Sequence, residues 1–298
     1  MLSVLIPTYN YNTFSLVKEI HSQLTHTSIA FEIICLDDAS DQNYFQDNSK
    51  INALEFSNFQ ILKQNIGRSS IRNKLADLAK YDWLLFLDAD VIPQKENFIK
   101  TYVDAILEEG EVICGGICYK NKKPIGSNLL RWTYGKEREE VSVLKRINKP
   151  YKHFLSANFL ISKKQFIKIK FNETLTTYGH EDTLFAIELN KNRVKINHIE
   201  NRVYHLGIES NLIFLNKVKS AIKNVNYLYN QKLISKNDIH LLSIFLSLKS
   251  LKVVGLMAFV FRKRQKQWER NLLSSNPSLF IFDIYKLGFL CSLKSIFK

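Results

Sequence analysis

The chain has 298 residues, 46% hydrophobic and 23% charged, an ordinary globular composition with ample material for a core. Its net charge of +14 is unevenly placed: residues 1–110 carry −6, residues 111–210 carry +8 and residues 211–298 carry +12. An acidic first part with a basic tail excludes a uniformly basic nucleic-acid binder, and four scattered cysteines without a second pair or a neighbouring histidine exclude a zinc site.

Those cysteines, Cys35, Cys114, Cys118 and Cys291, read as reduced core thiols of a cytosolic protein. Met1–Pro7 begins at once as a strand and lacks the basic start and long apolar core of a signal peptide. No window reaches about 18 uninterrupted apolar residues, so no transmembrane helix is expected.

Ser3–Pro7 predicts a first strand, with polar loop material from Thr8 to Asn12, and Leu16, Val17, Ile20 and Leu24 give Ser15–Leu24 helical spacing. Phe31–Leu36 is a second strand ending in Asp37-Asp38-Ala39-Ser40, and Phe59–Leu62 a short third. The turn Asn65–Ser70 leads into a helix over Ile71–Lys80. Leu84-Leu85-Phe86-Leu87 then runs straight into Asp88-Ala89-Asp90, the pattern of a strand buried on both faces with two carboxylates at its end. A helix over Gln94–Glu109 and a strand over Glu111–Tyr119 follow. Alternation of this kind argues a doubly wound, mostly parallel sheet, in which the polar clusters Thr8/Asn10, Asp37/Asp38 and Asp88/Asp90 meet on one rim.

Further along, Gly126–Val143 reads as helical, Phe154–Ile161 as a strand, Thr183–Leu189 as a helix behind Gly179-His180-Glu181-Asp182, and Val194–Tyr204 as a strand that delivers His205. After about residue 210 the texture changes to long helices poor in glycine and proline. Boundaries are expected at 1–207 and 208–298. Leu241–Phe261 is apolar nearly all round, interrupted by Lys249 and Lys252 and followed by Arg262-Lys263-Arg264, and Phe280–Phe297 is again apolar and aromatic. Basic, aromatic helices suit peripheral contact of residues 241–298 with an anionic membrane; a helical subdomain or a homodimer contact is the alternative.

Taken in order, Val4–Asn10, Asp37–Ser40, Asn65-Ile66-Gly67-Arg68 with Arg72-Asn73, Asp88-Ala89-Asp90, Gly179-His180-Glu181-Asp182 and His205 form a series. In that series the chain resembles the family-2 inverting glycosyltransferases of GT-A fold over about residues 1–207. The resemblance implies a nucleotide-sugar donor, most often a UDP-sugar, and a divalent cation, Mn²⁺ or Mg²⁺. It assigns Pro7, Thr8, Tyr9 and Asp38 to the nucleotide, with Asp38 at the base. Arg68 or Arg72 falls near the base or pyrophosphate, and the sequence does not choose between them. Asp90 is the expected metal ligand, Ala89 lies within the metal motif, and Asp88 is expected at the ribose or at the metal through water. His205 completes the metal or pyrophosphate site, and Asp182 is the base. Glu181 and His180 fall toward the acceptor, and Asn158 toward the donor sugar.

The chemistry agrees. A diphosphate leaves only if its growing charge is neutralised, and an acceptor hydroxyl needs a carboxylate to take its proton. The expected function is therefore transfer of one sugar, a hexosyl or N-acetylhexosaminyl group, to a surface glycan or lipid-linked oligosaccharide at the cytoplasmic face of a membrane. Three other readings stand beside it: a non-catalytic nucleotide-sugar-binding scaffold of the same fold, a nucleotidyltransferase, and a nucleic-acid binder. Intact Asp90 and Asp182 speak against the first. Pro7-Thr8-Tyr9-Asn10 in place of a glycine-rich loop speaks against the second, and the acidic first part against the third.

Overall fold

The computed structural model describes residues 1–107, 110–124 and 126–293. The chain forms two compact units, the first from Met1–Lys120, Glu139–Thr176 and Glu181–Gly207, the second from Asn121–Arg138, Thr177–His180 and Ile208–Lys298. The change of texture near residue 210 therefore marks one crossing, while two inner segments also join the second unit.

Among the described residues of the first unit the strands are β1 (Leu2–Thr8), β2 (Phe31–Asp37), β3 (Ser57–Ile61), β4 (Trp83–Leu87), β5 (Val91–Pro93), β6 (Val112–Cys114), β7 (Ile117–Cys118), β8 (Asn158–Ser162), β9 (Ile196–His198) and β10 (Val203–His205). Seven of them make a sheet in the order β3-β2-β1-β4-β8-β6-β9. β3, β2, β1 and β4 run parallel, as the alternation of elements predicts, whereas β8 runs antiparallel to both β4 and β6. Val4, Leu5, Ile6, Leu84, Leu85 and Phe86 are fully buried, the signature of strands covered on both faces. A second sheet, β5-β10-β7, is small.

Two expected strands are each divided. Glu111–Tyr119 breaks at Gly115-Gly116, so that β6 stays in the large sheet and β7 joins the small one. Both glycines are needed there: a Cβ on Gly115 would lie 2.2 Å from the Asn201 carbonyl oxygen, and Gly116 has φ +83° against the Arg146 guanidinium. Val194–Tyr204 likewise divides into β9 and β10, again in different sheets. The helix expected over Gln94–Glu109 begins at Phe98 and is described to Leu107; Glu108 and Glu109 lie outside the described residues.

An aromatic stack lies beneath the sheet. Phe86 stacks on Phe159 at 4.9 Å between centroids and Phe171 on Phe185 at 4.2 Å, with Phe166 against both groups. Phe185 belongs to the helix Glu181–Lys191, so burial of its side chain fixes where that helix begins.

The second unit packs helix Leu129–Tyr134 with Asn211–Asn230, Val254–Leu272 and Leu279–Ser292 around Leu130, Phe214, Leu215, Phe261, Phe282 and Tyr285, while helix His240–Ser250 lies against Leu279–Ser292 with Leu242 and Phe245 buried. The helix expected over Gly126–Val143 is shorter, passing into a π-turn at Gly135–Glu139. Of the expected Phe280–Phe297 segment, residues 294–298 lie outside the described residues. Asn224 binds the strap Thr177–Gly179: its Nδ2 donates to the carbonyls of Thr177, Tyr178 and Gly179 at 3.0–3.2 Å, and its Oδ1 accepts from Thr177 Oγ1 at 2.9 Å. A Cβ on Gly179 would lie 2.5 Å from the Ala221 side chain, so the strap lies flat on that helix. No single helix among the described residues is long and apolar enough to cross a membrane.

Candidate active site

β1 and β2 are paired in register, Thr8 opposite Asp37, which brings the first two polar clusters together at their carboxyl ends. Thr8 is buried, Pro7 partly so, and Tyr9 is exposed. The two adjacent aspartates separate by role. Asp37 closes its own turn, accepting from Ser40 N at 2.7 Å and Ser40 Oγ at 2.6 Å. Asp38 accepts the backbone N–H groups of Ile66 at 2.7 Å and Gly67 at 3.0 Å, and so fixes the turn that opens helix Arg68–Leu78. Burial raises the Asp38 carboxyl; the two N–H donors pull it back and Asp37 pushes it up again.

The structure distinguishes the two arginines. Arg68 is about half exposed, with Nη1 3.5 Å from Glu181. Arg72 is 2% exposed. Its Nη2 donates to Asp88 Oδ1 at 2.5 Å, its Nη1 to the Arg68 carbonyl at 3.0 Å, and its guanidinium lies 5.6 Å from the Phe171 ring centroid. Asp88 is thereby paired with Arg72 through Oδ1. Burial alone would raise its carboxyl, but Arg72, Arg68, His205 and the Arg72 hydrogen bond outweigh burial and bring it below the usual carboxylate value. Ala89 is buried, and its carbonyl accepts from Thr13 Oγ1 at 3.5 Å.

Asp90 instead meets His205. Asp90 Oδ2 lies 3.5 Å from His205 Nε2, and Leu206 N donates to the main-chain carbonyl of Asp90 at 2.7 Å. A Cβ on Gly207 would lie 1.9 Å from Asp90 Oδ2, so only glycine leaves that oxygen its place. The His205 ring lies 5.5 Å from that of Tyr119, whose phenol donates to Glu139. His205 Nδ1 is buried with no hydrogen-bond partner, unlike the tethered second nitrogen of most metal-ligating histidines. Among the described residues no group of three or more His, Cys, Asp or Glu could hold a metal. A carboxylate and an imidazole nitrogen do suit a cation that takes its remaining ligands from water and substrate phosphates.

Asp182 lies in the first turn of helix Glu181–Lys191, where the helix dipole favours a carboxylate. It accepts from Ser156 Oγ at 2.8 Å and Ser156 N at 3.2 Å. Burial, then the neighbouring Glu181 charge, raises it to about 6, against the opposing effects of Arg72 and the Ser156 hydrogen bond. Asn158 does not reach the site. It is buried, its amide donates to the carbonyls of Gly116 at 2.9 Å and Asn201 at 2.8 Å, and its oxygen accepts from Tyr102 at 2.6 Å. These bonds tie the β6–β7 break together. His180 belongs to the second unit and has a left-handed backbone, φ 74°.

The glycosyl transferase family 2 model matches residues 3–173. The chain belongs to that family. Three solved structures share the fold. Residues 1–349 of S. aureus TarS are 17% identical, with 98% of this chain and 90% of that chain covered and a TM-score of 0.51. The same segment in complex with UDP-GlcNAc is 18% identical at the same coverage, TM-score 0.50. A longer TarS chain is 20% identical, TM-score 0.50; the match covers 76% of this chain but only 39% of that one. No curated protein sequence matches.

As a family-2 glycosyltransferase the chain carries the GT-A arrangement, with its helical region following. Asp182 and His205 lie beyond the matched range, so their place in this glycosyltransferase rests on the geometry above. The sequence reading missed three contributors: Ser156, the hydrogen-bond donor to Asp182; Arg72 as the buried partner of Asp88; and Gly207 as the contact that shapes Asp90. Only Gly207 left a visible signal, a lone glycine two residues after the histidine that closes β10.

Proposed function

We propose that this glycosyltransferase moves a sugar with inversion from a UDP-sugar, of the kind held by S. aureus TarS as UDP-GlcNAc, to a hydroxyl of a growing glycan or lipid-linked oligosaccharide, with a divalent cation. The observation that carries this reading is the opposite treatment of two neighbouring carboxylates. Asp88 is held ionised by Arg72, while Asp182 is raised to about 6, within reach of neutral pH. Environments that push two titratable groups apart assign them different tasks.

Asp182 is the base. It takes the proton of the acceptor hydroxyl as that oxygen attacks the anomeric carbon and the bond to the diphosphate oxygen breaks. One displacement inverts the centre, and the nucleoside diphosphate leaves. Ser156 orients Asp182, and Glu181, beside Arg68, faces the acceptor. Thr8 and Asp38 border the nucleotide, Arg72 holds Asp88 toward the ribose, and Arg68 is the exposed cation for the pyrophosphate. Asp90 and His205 would hold Mn²⁺ or Mg²⁺, which when bound supplies positive charge to the leaving diphosphate.

A thermal-shift series with UDP and UDP-sugars, with and without Mn²⁺, combined with turnover of Asp182→Asn, tests the reading. We expect UDP to raise the melting temperature, more so with Mn²⁺, and the variant to bind UDP normally but lose transfer by at least about a hundredfold. A variant that transfers at near the normal rate removes Asp182 from its role.

A further inference from the structure

Helices His240–Ser250 and Val254–Leu272 meet at a bend of 117°. The first ends in a Schellman stop: Val253 N bonds the Leu248 carbonyl and Lys252 N the Lys249 carbonyl, both at 3.0 Å. The left-handed position in such a stop usually holds glycine, but here it is Lys252, with φ 58°. A side chain in that conformation costs about 1–2 kcal/mol, and in return an exposed cation stands at the apex. Around it, large apolar side chains face outward: Leu251 is 69% exposed, Leu256 64%, Phe259 51% and Ile244 36%. Between Asp238 and Glu269 the chain has no carboxylate and six cations, Lys249, Lys252, Arg262, Lys263, Arg264 and Lys266. Lys263 Nζ stands 5.8 Å from the Phe259 ring centroid, so one apolar side chain and one cation emerge together.

From this juxtaposition we infer that the elbow is a seat for an anionic lipid bilayer. Leu251, Leu256 and Phe259 enter the boundary between headgroups and acyl chains, and the surrounding cations meet lipid phosphates. A second copy is the poorer occupant, because a two-fold contact would set the six cations of this elbow against themselves. Nucleic acid would answer the cations but not the exposed leucines and phenylalanine. The 11-residue first helix is about 16 Å long against a hydrocarbon core of about 30 Å, so the elbow lies on the membrane rather than across it. This seat stands independently of the chemistry proposed for the first unit, since lipid binding is read without turnover.

The experiment is flotation of the full chain with phosphatidylcholine vesicles, with and without phosphatidylglycerol, at low and high salt. Binding is expected only with the anionic lipid, weakened at least about tenfold by high salt. Leu251→Glu/Leu256→Glu/Phe259→Glu should lose it at least about tenfold with unchanged circular dichroism and UDP-induced thermal shift, as should the charge reversal Lys252→Glu/Lys263→Glu. Three results would overturn the inference: no binding to anionic vesicles, binding unchanged in both variants, or a dimer by light scattering that the triple variant dissolves in a protein that ignores vesicles.

Discussion

Burial and Glu181 together raise Asp182 to about 6, so its ionised form is disfavoured inside the fold. Where both folded and unfolded chains are protonated, near pH 3, this residue takes nothing from stability. As pH rises from about 4 to 6 the unfolded chain ionises first, and stability is lost by an amount on the order of 1–3 kcal/mol. Asp182→Asn removes that loss, so the inactive variant should be the more stable one above pH 6, the gap closing toward pH 4. Urea denaturation at pH 4 and pH 8 reads this directly. On the proposed role of Asp182, kcat/KM should fall about tenfold per pH step well below 6. Gly207→Ala acts on the other side. Its Cβ would lie 1.9 Å from Asp90 Oδ2, forcing the carboxylate away. The variant should keep its ligand-free melting temperature within a few degrees and lose the extra stabilisation that Mn²⁺ gives to UDP.

Helix Arg68–Leu78 carries its chemistry on its buried face. Arg72→Ala leaves Asp88 a desolvated carboxylate without its partner, which costs about 3 kcal/mol or more, whereas Arg72→Ala/Asp88→Ala should regain part of it. A double-mutant cycle by urea unfolding tests this, and additive losses would dissolve the pair. At this scale the sequence was readable wherever one period rules a segment. β1, β2 and β4 announce themselves as apolar runs ending in Thr8, Asp37 and Asp88. It was unreadable where one run serves two sheets, as at Gly115-Gly116, because apolar periodicity does not record which strand becomes the partner. The antiparallel direction of β8 was hidden for the same reason: direction is set by the connection, not by the side chains of Asn158–Ser162. Nor does an arginine in a helix state that it faces inward, so Arg68 and Arg72 looked equivalent until burial distinguished them.

Across the whole molecule, the charge division was legible from composition, but the division into units was only partly so. One crossing between the units falls between Gly207 and Ile208, and Leu130 and Tyr134 pack with Phe214 and Phe282 inside the second unit. Their short helix gives no sign in sequence of belonging to residues far downstream. A chain cut after Gly207 would therefore expose Leu130 and Tyr134 and leave the strap Thr177–Gly179 without Asn224. We expect that fragment to be aggregation-prone, recovered in the void volume on gel filtration where the full chain is not; a well-dispersed fragment that still binds UDP would show the second unit to be dispensable.

The Asn224 clasp has a mechanical consequence. The strap ends at His180, and the next residue, Glu181, opens the helix that carries Asp182. Asp182, the proposed base, thus follows closely on a strap knotted to helix Asn211–Asn230 by four hydrogen bonds to one side chain. Asn224→Ala should loosen that strap, read as faster amide hydrogen exchange over residues 177–180.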